Sequence, residues 1–201
     1  MFHIIKNFIS KQDVETVNDY IKTINFHTKE NHVPLHDNLF ETYNAQFDLH
    51  TRGEMPPHIL EIFSKYSKGY YENVQAFQGS DAEYHPPMFS KHYIARYQTG
   101  SSVGPQFDPS RPPGTYKSYI YWNNDFTGGV FGFPETGEFF TPEPGDLLFF
   151  IENAQNTYQI SKVESGTLFL SEAWMGRVGQ AWMPNVDYDN TDWDDWEIKG
   201  F

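Results

Sequence analysis

Thiols are missing from this chain of 201 residues: with zero Cys, thiolate zinc sites, iron–sulfur clusters and cysteine nucleophiles are excluded. All 8 His lie at or before His92. Those between residues 27 and 54 (His27, His32, His36 and His50) offer no pair at useful ligand spacing and read as scattered surface residues. Further along, Asp108 reads as a turn aspartate accepting backbone hydrogen bonds, or as a carboxylate held in a pocket. Lys117 is either a solvent-facing lysine or an inward one, since it shares strand parity with Tyr119 and Tyr121. The ring-rich run Tyr116, Tyr119, Tyr121, Trp122 suits core packing. Alternatively it lines a groove, with Arg111-Pro112-Pro113 at the mouth, for a proline-rich or extended peptide.

The elements that must position these groups change type along the chain. Ser10-Lys11-Gln12-Asp13 resembles a capping box, and Val14, Val17, Ile21 and Ile24 follow on one helical face, predicting about four turns. After Pro56-Pro57, the stripe Ile59, Ile62, Phe63, Tyr66, Tyr70 predicts a second helix that stops near Gly69 to Asn73. Residues 27 to 54 between them show neither helical nor strand periodicity. From Phe89 the pattern becomes short aromatic and β-branched runs divided by Gly, Pro and Asn. Strands are predicted at 89–98, 116–122, 129–133, 138–141, 146–151, 157–163 and 167–174. Strands in series after two helices argue for a sandwich or jelly roll rather than a doubly wound sheet.

One domain is expected: residues 1–88 as helical support, 89–175 as the β core, and 187–201 as an acidic tail. Between Asp187 and Glu197 that tail carries six acids with Trp193 and Trp196, as a loose end pinned by its rings or a partner-binding segment. Acids outnumber bases 27 to 14, for a formal charge of −13. That field repels phosphate backbones and anionic membranes, so neither nucleic acid nor membrane is an expected partner. The apolar run at Met1 to Ile5 breaks too early for a signal peptide, and no stretch reaches membrane-span length, which predicts a soluble, cytoplasmic protein.

Several marks in the β region come in a fixed order: Arg96-Tyr97-x-x-Gly100, Phe107-Asp108, Tyr119-x-Tyr121-Trp122-Asn123, Gly128-Gly129-x-x-x-Phe133-Pro134, Pro144-Gly145-Asp146 and Trp174. Over about residues 89–175 this resembles the double-stranded β-helix of the iron(II) and 2-oxoglutarate-dependent oxygenases, in their prolyl 4-hydroxylase-like branch. The resemblance implies a mainly β fold, a jelly roll with N-terminal helices. It also implies iron(II) and 2-oxoglutarate as cofactors, and hydroxylation of a peptidyl proline or similar carbon. Family chemistry uses a His-x-Asp pair, a distal His some fifty residues on, and a basic residue about ten further that holds the far 2-oxoglutarate carboxylate.

Here the matching metal positions are Gln106, Asp108 and Tyr158, and the cosubstrate positions are Tyr97, Leu168 and Trp174. An amide oxygen is a weak neutral ligand suited to hard cations, a phenol binds iron(II) poorly, and leucine donates no hydrogen bond. No catalytic residue, bound metal or cofactor is expected in the chain as it stands. Some related branches take the carboxylate anchor from the strand after the His-x-Asp turn, which makes Lys117 an alternative anchor. His92, five residues before Tyr97, falls on the opposite strand face. The expected function is a catalytically silent oxygenase scaffold that holds a peptide or small molecule in the barrel. The alternative is an active dioxygenase working through displaced ligands.

Overall fold

The computed structural model describes residues 2–24, 42–48, 56–78, 94–107, 114–151, 153–155 and 157–176, with backbone alone for 42–48 and Trp174. His27, His32, His36, His50, His92, Asp108, Arg111 to Pro113 and the acidic tail lie outside them.

Ser10 caps the first helix, α1 (Lys11–Ile21), accepting from the Asp13 N–H at 3.1 Å. At 11 residues it has three turns rather than the expected four. Val14, Val17 and Ile21 are buried, as their spacing requires. The second helix, α2 (Pro57–Gln78), buries its whole predicted stripe but runs past Gly69 instead of stopping there. Gly69 is an interior residue because space demands it: a Cβ would lie 2.7 Å from Cζ of Phe8. A helix-ending glycine and a close-packing glycine look alike in sequence.

Eleven strands accompany the helices among the described residues: β1 (Phe2–Ile5), β2 (Thr42–Asp48), β3 (Ile94–Gln106), β4 (Tyr116–Tyr121), β5 (Thr127–Gly128), β6 (Phe131–Phe133), β7 (Glu138–Phe140), β8 (Leu147–Ile151), β9 (Tyr158–Ile160), β10 (Val163–Ser165) and β11 (Thr167–Met175). Nine form one antiparallel sheet, ordered β1-β8-β4-β11-β3-β9-β6-β7 with β2 on β3, while β10 and β5 pair separately. The N-terminal region is therefore not helical support alone. It supplies β1, antiparallel to β8, and β2, in a stretch that showed no strand periodicity. Strand β3 runs to Gln106 rather than 98, with Gly100 at φ +96° between the part paired to β11 and the part paired to β9. The sheet curls on itself, for Phe2 of β1 stacks on Phe140 of β7 at 4.5 Å and on Phe133 of β6 at 5.6 Å. The fold is mainly β, a jelly roll braced by two helices.

Strand alternation divides the core in two. On β4, Tyr116 and Ile120 face the helices while Tyr119 and Tyr121 face the barrel interior. Trp122 joins the helix side, donating to Ser171 Oγ at 2.8 Å and accepting at its carbonyl from Asn18 at 2.7 Å. All four aromatic residues of that run are at most 2% exposed, so they are core on two faces and do not line a surface groove.

Pro144-Gly145-Asp146 ties the N-terminus to the sheet. Gly145 takes φ +83°, and its carbonyl accepts from the Ile9 N–H at 2.9 Å. Asp146, 2% exposed, accepts from Lys6 Nζ at 2.6 Å, the Asn7 N–H at 2.9 Å and the Glu143 N–H at 3.1 Å. Asp146→Ala strands two backbone donors and removes a buried acceptor. It should cost about 2–4 kcal/mol in urea unfolding. A loss within experimental error would show that water replaces the carboxylate there.

Candidate functional site

Inside the barrel, side chains from three strands meet at one hydroxyl group, and a fourth strand places a carboxyl group beside them. Gln106 ends β3 and stands in register with Tyr158, the first residue of β9. Gln106 Nε2 donates to the Tyr158 hydroxyl at 3.1 Å, so these two positions, fifty-two residues apart, meet. From β4, Lys117 Nζ donates to the same oxygen at 2.5 Å. From β11, Glu172 brings Oε2 to 3.2 Å from Lys117 Nζ. The ammonium also lies 4.4 Å from the Tyr158 ring centroid and 5.4 Å from that of Tyr119.

Lys117 is 4% exposed, which corrects the solvent-facing reading of it. Its parity with Tyr119 and Tyr121 decided the matter, because both of those face the inside of the curled sheet. The sequence reading missed Glu172. Its signal was a carboxylate in the inward register of β11, in phase with Leu168 and Leu170, both inside the barrel. Burial pushes the Glu172 carboxyl up to about 8, because the charged form loses water there.

Of the cosubstrate positions, Leu168 is fully buried among the interior apolar residues, opposite Tyr97 in the β3–β11 register. Tyr97 is buried too, and desolvation pushes its phenol above the ordinary range, as it does for Tyr121. The Tyr121 hydroxyl has no hydrogen-bond partner among the described residues. Trp174 stands opposite Lys117 in the β4–β11 register.

These described side chains do not suit iron(II). A metal ion needs free lone pairs, whereas the Tyr158 oxygen already accepts from an ammonium and an amide. Among the described residues, no group of three or more His, Asp or Glu is placed to hold a metal ion. Nor does Leu168 suit an incoming carboxylate, which would lose its water and gain no donor from it.

No family model and no curated protein sequence matches this chain. Solved structures do, and they define its class by shape: the fold is that of the prolyl hydroxylases and 2-oxoglutarate–iron(II) oxygenases. A viral collagen prolyl hydroxylase from Paramecium bursaria Chlorella virus-1, solved with 2-oxoglutarate, is 17% identical over 87% of this chain and 94% of its own, at TM-score 0.60. A prolyl hydroxylase from Trichoplax adhaerens, in complex with a hypoxia inducible factor peptide fragment, matches at TM-score 0.65 and 15% identity, over 87% of this chain and 82% of that one. A Pseudomonas putida prolyl-4-hydroxylase matches at TM-score 0.65 and 12% identity, over 89% and 93%. No described helix is long and apolar enough to cross a membrane.

Proposed function

We propose that this chain is a catalytically silent relative of the prolyl 4-hydroxylase-like oxygenases, whose remaining capacity is to bind a peptide or small molecule. One observation carries the reading: the Tyr158 hydroxyl, at the distal metal position, takes hydrogen bonds from Lys117 and Gln106. Fold alone does not confer chemistry, which is done by the side chains at the site. Here the Tyr158 oxygen is taken up by two protein donors, Gln106 and Lys117, and Leu168 contributes only methyl groups where the family has a cation.

The test is turnover of 2-oxoglutarate by the unmodified chain with iron(II) and oxygen. Succinate should form no faster than with free iron. Formation above that background, abolished by Asp108→Ala, would overturn the silent reading in favour of an active dioxygenase with displaced ligands.

A further inference from the structure

Building on the silent reading, we propose that the Lys117 ammonium is the barrel's resident cation, occupying the role of a divalent metal ion and keeping such ions out. The two metal positions that the structure describes, Gln106 and Tyr158, meet at one hydroxyl group, and Lys117 Nζ approaches it at 2.5 Å. On the other side of the ammonium, a carboxyl oxygen of Glu172 lies 3.2 Å away. Aromatic faces complete the surroundings, with the Tyr158 ring centroid 4.4 Å from the ammonium.

Two features make this a replacement rather than an incidental ion pair. The Lys117 side chain is 6% exposed and the Glu172 side chain 14%, so neither group is dissolved in bulk water. The donors also run the wrong way for a metal: Nζ and Nε2 both point hydrogens at the oxygen a cation would need. An incoming divalent ion would have to displace both and sit beside a fixed positive charge.

The experiment uses the full chain and Mn²⁺ alone, a cation that accepts oxygen ligands. Binding is read by loss of the free Mn²⁺ paramagnetic signal and by the melting temperature. Because the chain carries a charge of −13, weak surface binding is subtracted with Lys117→Met/Glu172→Gln, which keeps the surface but lacks the Glu172 carboxylate. Lys117→Met should bind Mn²⁺ at least tenfold more tightly than that control, while the unmodified chain should match the control. Binding by the unmodified chain as tight as by Lys117→Met would overturn the proposal, as would a folded Lys117→Met with no gain.

If Lys117→Met does not fold, the unmodified chain still decides. Its Lys117 Nζ resonance should resist broadening by Mn²⁺, and selective broadening would refute exclusion. Succinate formation tests the silent reading separately. A chain that makes no succinate but takes Mn²⁺ beside Lys117 fails this proposal alone.

Discussion

Lys117→Met should destabilise the fold by roughly 3–5 kcal/mol at pH 9 and by about 1–2 kcal/mol at pH 6, measured by urea unfolding at both values. The cost depends on pH because the variant leaves Glu172 behind. Burial pushes that carboxyl from 4.5 up to about 8. A raised carboxyl favours the fold while protonated: its contribution is full below about 4.5 and is lost as pH rises through about 8. In the unmodified chain the loss ends there, because the carboxylate then pairs with the ammonium at 3.2 Å. Without Lys117 the folded carboxyl titrates higher still, so stability keeps falling above pH 8. At pH 6 Glu172 is neutral in the folded chain, and the variant loses mainly the hydrogen bond to Tyr158. Among the described residues, the other titratable groups nearby are phenols, Tyr158 and Tyr119 beside Lys117 and Tyr66 across the sheet, and Tyr66 is pushed above its ordinary range by burial. Removing both charges, as Lys117→Met/Glu172→Leu, should restore stability to within about 1 kcal/mol of the unmodified chain or exceed it. Additive losses in the double variant would show that the two side chains are not coupled.

How much of this could be read in the sequence follows from what kind of signal each element leaves. Helix faces and strand alternation are local, so the stripe from Ile59 to Tyr70 and the β4 run were visible before any coordinates. Strands β1 and β2 were not, since each becomes a strand by pairing with a distant edge, β8 and β3 respectively. Gly69 misled because close packing against Phe8 is a tertiary fact. In the site, family spacing picked out Gln106 and Tyr158, and the register joins them. Glu172 escaped because no motif contains it. Only its inward phase on an apolar strand marked it, and phase gains meaning once the sheet is known to curl.

The interior chemistry accounts for how this fold holds an amide and a phenol side by side in its barrel. Set among apolar residues with nothing else nearby, the two would be polar groups in search of partners. The amide donates to the phenol, Lys117 donates to the same oxygen, and Glu172 approaches Lys117, from neighbouring strands β4 and β11 in which Lys117 stands opposite Trp174 and Glu172 opposite Tyr119. Among the described residues, stability in this region comes from hydrogen bonds and the Lys117–Glu172 contact.

Gln106→His, Tyr158→His and Lys117→Met together should bind Ni²⁺ or iron(II) at least a hundredfold more tightly than the unmodified chain. The register sets positions 106 and 158 side by side, so two imidazoles there start close to chelating geometry, and Asp108 lies two residues from the first in sequence. Lys117 must go as well, because its ammonium would donate into an imidazole nitrogen and repel the metal. The Gln106→His/Tyr158→His variant that keeps Lys117 should therefore remain weak, and the contrast isolates the ammonium's part. Adding Leu168→Arg should then confer binding of 2-oxoglutarate, since a guanidinium can clamp a carboxylate with two parallel hydrogen bonds. Arginine must replace a fully buried leucine, so a drop of several degrees in melting temperature should accompany it and should be partly reversed by 2-oxoglutarate. Anaerobic absorbance gives the readout, as a charge-transfer band that needs iron(II) and 2-oxoglutarate together. If the triple variant folds and binds metal no better than its parent, the 106 and 158 positions are not a lost metal site, and the scaffold's likeness to the oxygenases stops at its shape.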